Sequence, residues 1–179
     1  MITLVGCASQ KKFTNGAYNN AREVRLLDDK FNEADMQQIT QTMVSSLMTC
    51  PKVQESHPTV VIGDVMNQTS EHLNLDAVMD QIQNQLVQSH RYVMIDKPVR
   101  NQAEMEFEYQ KNKNIYQDAA PIKANYILTG AISSNVQEVG KQKLVYYKMN
   151  LKLTSLASTA VVCSEEKELR KEFEKVKVD

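Results

Sequence analysis

The sequence predicts an α+β fold. One domain carries helices packed on a mixed β-sheet, with a βαβ unit first and an antiparallel meander after it. Three observations predict this. Up to about residue 107, stretches of helical apolar period alternate with short β-branched runs, the order of a parallel crossover. From about residue 125 the period changes to two, most cleanly in "LVYYKMNLKLT". The length of 179 residues, with 42% hydrophobic and 24% charged, suits one domain plus a tail.

The first helix is expected from about Glu33 to Met48, with Asn32 as N-cap and Asp35 near the positive end of the dipole. Met36, Ile39, Met43 and Leu47 share one face, and Pro51 stops the helix. "TVVIGDV" after Pro58 suits a buried central strand, Thr59 to Val65, and "MNQTSEH" then reads as a polar loop. A second helix, Leu75 to Gln88, presents Leu75, Val78, Met79, Ile82 and Leu86 as a stripe, with Asn74 as cap. "RYVMID" is a short strand. A third helix begins near Pro98 and is expected to turn Val99, Ala103 and Phe107 inward.

"NYILTGAIS" reads as a strand, and Gly140 sits where a hairpin turn would use it. In the next strand Val145, Tyr147, Met149, Leu151 and Leu153 take one face. Leu144, Tyr146, Lys148, Asn150 and Lys152 take the other. "TAVVCS" forms a last strand, and "EEKELRKEFEKVKVD" is expected to be a charged, solvated end.

A net charge of −1 gives no global field to recruit nucleic acid, and no apolar run is long enough to span a bilayer. His57, His72 and His90 stand in turns or at helix ends, without metal spacing. Asp64 lies near a strand end, but "GDVMNQTS" lacks the glycine pattern of a phosphate loop. Asn67, Thr69 and Ser70 could bind a ligand, yet such residues more often close a turn or cap the next helix. Glu104, Glu106 and Glu108 alternate on a helix, so they do not share one face. No catalytic set, cofactor site or metal site is expected. Cys50 and Cys163 would pair in an oxidising compartment. The preferred expectation is two separate buried small hydrophobes, because sequence cannot bring their Cα atoms within reach.

The opening "LVGC", Leu4 to Cys7, resembles a bacterial lipobox, in which a small residue precedes a cysteine that receives a diacylglycerol. Six residues before Cys7 are too few for a working export signal, so residues 1–6 are expected to be a signal remnant. The competing possibility is a frayed N-terminus with an idle thiol. Residues 7–30 are sparse in apolar residues and are expected to be a flexible tether, with Val24, Leu26 and Leu27 beginning to dock. Residues 31–179 form the globular domain.

Several segments resemble the LpoB-type activators of penicillin-binding proteins. They are "PTVVIGDVMNQTSEHLNLDAVMDQIQNQLVQSHRYVMID", "ANYILTGAISS", "VYYKMNLKLTSL" and "EVRLLDDKFNEADMQQITQTMVSSLM", and together they cover about residues 23 to 170. The resemblance implies a fold like the N-terminal domain of TolB. It implies a lipoprotein on the periplasmic face of the outer membrane, anchored through Cys7. The domain would bind and activate a class A penicillin-binding protein, doing no chemistry itself. Ala8 after the cysteine resembles outer-membrane sorting.

Three features depart from the family. The tether spans at most about 80 Å when extended, and no proline precedes Pro51, where enteric members carry a longer Pro-rich tether. Pro121 cuts into the family's fourth helix, and Cys163 stands where many members have an aromatic residue. The shorter tether favours an alternative: an envelope lipoprotein serving as a structural or assembly component of a secretion or surface-appendage system. A periplasmic hydrolase working through Asp64 is the third possibility. For the partner surface the candidates are Tyr146 and Lys148 on the exposed hairpin face, since Tyr is enriched in binding hot spots.

Overall fold

The computed structural model describes residues 27–51, 53, 57–113 and 123–175. Helix α1, Glu33–Met48, opens with a reciprocal cap. The Asn32 side chain accepts the Asp35 N–H at 3.1 Å, and the Asp35 carboxylate accepts the Asn32 N–H at 2.9 Å. Strand β1 is Thr59–Gln68 and helix α2 is Leu75–Gln88, capped by Asn74 accepting the Ala77 N–H. Strand β2 is Val93–Ile95, and helix α3 is Lys97–Asn112. Three 14-residue strands follow: β3 Tyr126–Val139, β4 Gln142–Ser155 and β5 Val161–Glu174.

The strands form one sheet in the order β2-β1-β3-β4-β5. Strand β1 runs parallel to β2 and β3, while β3, β4 and β5 form an antiparallel meander. The mixed sheet, the βαβ unit and the meander are therefore as the sequence predicts. Gly140 turns the β3–β4 hairpin at φ +61°, which glycine adopts without a Cβ penalty. At Gly130 the neighbouring strand comes so near that a Cβ would stand 2.3 Å from the Asn150 carbonyl oxygen.

One face of the sheet meets α1 and α2. Val145, Tyr147, Met149, Leu151 and Leu153 of β4 pack with Ile39 and Met43 of α1, Ile82 and Leu86 of α2, and Leu128 and Ile132 of β3. All are essentially inaccessible to solvent. Burying each large apolar side chain contributes about 1.5–3 kcal/mol. Tyr92 adds a polar tie, its hydroxyl donating to the Leu47 carbonyl at the end of α1, and burial raises its pKa.

Four expectations need correction. First, β1 continues through Met66, Asn67 and Gln68, which pair with Ala131, Ile132 and Ser133 of β3 after a register shift between Ile62 and Val65. The irregularity hides the period there. Second, residues 165–174 are not a solvated end but most of β5. Leu169 and Lys171 are buried and Phe173 packs on the core. Alternation is present, yet Glu165, Lys167 and Lys171 occupy core-side positions and mask it. Third, α3 does not turn Val99 and Ala103 inward. Both are exposed, and only Phe107 of the three is half-buried. Among the described residues none of the core side chains comes from α3, so its apolar residues lie outside the main core. Local pairs support this helix, Arg100 with Glu104 at 3.3 Å and Gln110 with Glu106 at 2.6 Å.

The fourth correction concerns cysteine. Cys50 and Cys163 are joined by a disulfide, with Cα atoms 6.1 Å apart. The end of α1 thus lies beside the start of β5, a juxtaposition no sequence pattern reveals.

Candidate partner interface

The second face of the meander is polar and laid out in cross-strand rows. Asn135 of β3, Tyr146 of β4 and Arg170 of β5 form one row; Ser133, Lys148 and Glu168 form another. Paired positions point to the same side of a sheet, about 4.8 Å apart from strand to strand. Tyr146 and Lys148 therefore lie on the outer face, as the alternation requires. Each is already engaged there. The Tyr146 hydroxyl donates to Glu168, and this bond raises its pKa. Lys148 pairs with Glu166 at 2.6 Å, which raises its pKa likewise.

Beside Tyr146 is a groove of about 490 Å³, lined by Asn135, Gln137, Leu144, Tyr146, Glu168 and Arg170. The structure brings Tyr146 into this groove and leaves Lys148 out of its lining. Arg170, Glu168, Asn135 and Gln137 were not among the sequence-based candidates. The spacing of Leu169, Lys171 and Phe173 could have revealed Arg170 as an outward strand position.

At one end of the sheet the chain before α1 is strapped down. Lys171 Nζ lies 2.7 Å from the Asp35 carboxylate, 2.6 Å from the Lys30 carbonyl and 5.3 Å from the Tyr147 ring centroid. The Tyr147 hydroxyl donates to Glu71, whose other carboxylate oxygen accepts the Phe31 N–H at 3.0 Å. Burial first, and then the bond to Glu71, push the Tyr147 pKa up. The Phe31 ring meets Tyr147 edge-on, with centroids 5.5 Å apart. Asp29 pairs with Lys143 at 2.6 Å, which lowers the aspartate pKa and raises the lysine's. Asp29 and Lys30 thus reach β4 and β5 through Lys143 and Lys171. Leu27 is exposed.

The remaining candidates are dispersed. His57, His72, His90 and Asp64 are exposed at separate places. The loop after β1 closes on itself. Asn67 accepts the Thr69 N–H at 3.0 Å and donates to the Glu71 carbonyl at 2.8 Å, while Thr69 accepts the Glu71 N–H. Among the described residues no group of His, Cys, Asp and Glu could hold a metal ion. No helix among them is long and apolar enough to cross a membrane. Cys7 lies outside the described residues, as do Pro121 and most of the expected tether.

The fold defines a class: a single α+β domain with a five-stranded mixed sheet, α1 and α2 on one face and a polar meander face on the other. Within that class the family can be stated. Residues 35–169 match the family described as peptidoglycan-synthase activator LpoB, and the chain belongs to it. The fold is similar to the LpoB C-terminal domain from Escherichia coli, with a TM-score of 0.51 and 16% identity over 75% of this chain and 98% of that one. The LpoB C-terminal domain from Salmonella enterica aligns with a TM-score of 0.49 and 14% identity, covering 76% of this chain and 99% of that one. No curated protein matches the chain.

Proposed function

We propose that this protein is a lipid-anchored activator of a class A penicillin-binding protein, working from the periplasmic face of the outer membrane. The observation that carries this reading is the family match across residues 35–169, which includes both the helical core and the meander. The protein acts by binding, with no chemistry of its own. An activator that prefers the productive conformation of a synthase shifts its population toward that state by the difference in affinity. A domain with a rigid sheet suits that task, because little ordering entropy is lost on docking. The face bearing Tyr146 and Lys148 meets the synthase.

The disulfide supports an envelope location, since disulfides persist in oxidising compartments. It also consumes two of the three cysteines. Cys7 is the one left over, and an odd cysteine in such a compartment is ordinarily modified or paired elsewhere. Diacylglycerol on the thiol and a third chain on the amine anchor firmly, each buried methylene contributing about 0.8 kcal/mol.

The test is made in the host. Epitope-tagged protein is expected in the outer-membrane fraction, carrying an acylated N-terminal cysteine by mass spectrometry, and in cross-links to a class A synthase. Cys7→Ser should release it from the membrane. A tagged protein that stays unacylated and cross-links to no synthase would overturn the proposal.

A further inference from the structure

The polar sheet face contains both committed and uncommitted groups. Tyr146 and Glu168 are bonded to each other, as are Lys148 and Glu166. These two pairs hold four of the most conspicuous side chains of the face in place. Lys148 therefore offers a partner a charge that is already compensated. Arg170 differs: it is exposed, and among the described residues its side chain makes no hydrogen bond or ion pair. It stands directly across from Tyr146, which stands across from Asn135. Gln137 and Leu144 form the adjoining row with Glu172.

The donors of this groove lie on two sides. Arg170 presents a guanidinium fork from β5, and Asn135 and Gln137 present amides from β3. The Tyr146 ring and Leu144 lie between them on β4 as an apolar floor. The bond to Glu168 fixes the Tyr146 ring, and fixing an aromatic side chain before docking lowers the entropy lost in the complex. Two acids flank Arg170 along β5. Glu168, bonded by the Tyr146 hydroxyl yet still anionic, and Glu172 both repel an anion arriving along β5. An incoming carboxylate is thus directed between the guanidinium and the β3 amides.

Resting on the activator reading, we infer that Arg170 is the specificity-determining contact of this face. It takes a carboxylate from an acidic residue of the synthase, while an apolar neighbour of that residue seats on Tyr146 and Leu144. The occupant is a protein segment, because the groove asks for one anion beside an apolar group. A guanidinium pairs a carboxylate through two parallel hydrogen bonds, a geometry lysine cannot copy. Arg and Tyr are also the residue types enriched where binding energy concentrates.

The test measures affinity of the soluble domain for the host's class A synthases at two salt concentrations. Arg170→Glu should weaken binding roughly 30-fold or more, as reversal of a paired interfacial charge does. Arg170→Lys should recover only part of the loss. The wild-type advantage over Arg170→Ala should shrink at high salt. Arg170 is exposed, so each variant should keep the wild-type melting temperature. If the wild type binds a synthase and Arg170→Glu binds equally well, the inference is wrong and the activator reading stands. If the wild type binds no synthase, the activator reading fails and the inference fails with it. If added glycan fragments compete with the synthase and depend on Arg170, the occupant is a saccharide and the inference is overturned in that form.

Discussion

Lys171 and Asp35 form an ion pair at 2.7 Å, with side chains only 4% and 5% exposed. One residue lies near the end of β5 and the other in the first turn of α1, so the pair joins the two ends of the domain. Asp35 also closes the α1 cap, and Lys171 also binds the Lys30 carbonyl. Removing the ammonium leaves a buried carboxylate with less compensation. Lys171→Met should cost about 3–5 kcal/mol in denaturant unfolding. By contrast, Lys148→Ala, which breaks an exposed pair, should leave the denaturation midpoint nearly unchanged.

The Cys50–Cys163 bond closes a span of 113 residues and holds β5 against the end of α1. Reduction, or Cys50→Ser with Cys163→Ser, should lower stability by about 2–4 kcal/mol. Alkylation of the unfolded, unreduced domain should leave both thiols unmodified. Full alkylation of both would contradict the pairing.

At Gly130 a methyl group would meet the Asn150 carbonyl and the Leu151 side chain. Backbone cannot move aside without breaking the β3–β4 ladder. Gly130→Ala should destabilise by about 1–3 kcal/mol, read from the denaturation midpoint. Gly140→Ala, where no atom lies within 4 Å, should cost less and only through its left-handed backbone.

The Asp29–Lys143 pair should make the strap respond to pH and salt. The aspartate pKa is lowered by its bond to Lys143, so its contribution is present above the unfolded aspartate value and is lost as pH falls through the folded one. The lysine pKa is raised by the same bond, so its contribution is present below the unfolded lysine value and is lost as pH rises through the folded one. Protection of the Phe31 amide, its exchange slowed relative to the intrinsic rate at each pH, should therefore be greatest at neutral pH and low salt. Asp29→Asn should flatten both dependences.

Periodicity carried most of the fold into view. The caps at Asn32 and Asn74, the α2 stripe and the inward row of β4 were all legible, because apolar residues there repeat at the period of their element. Strand β5 was not. Its core-side positions hold Glu165, Lys167 and Lys171, and Glu165 meets Ser46 and Lys171 meets Asp35 on α1. Only tertiary contact makes those charges tolerable inside, so composition reads them as solvent-facing. For α3 the reverse holds: Val99, Ala103 and Phe107 have helical spacing, but none of them joins the core. The outer position of Tyr146 and Lys148 followed from alternation. The groove beside them did not, because Arg170 sits on the strand that charge had hidden.

The central claim is that the domain activates a cell-wall synthase by binding it. The most direct measurement follows glycan chain growth and peptide cross-linking by each purified class A synthase against rising concentrations of the soluble domain. The account predicts saturable stimulation of one synthase, with half-effect at the concentration that half-saturates binding. Stimulation of none, with the domain folded and its disulfide intact, would contradict it and point to a structural or assembly role in the envelope.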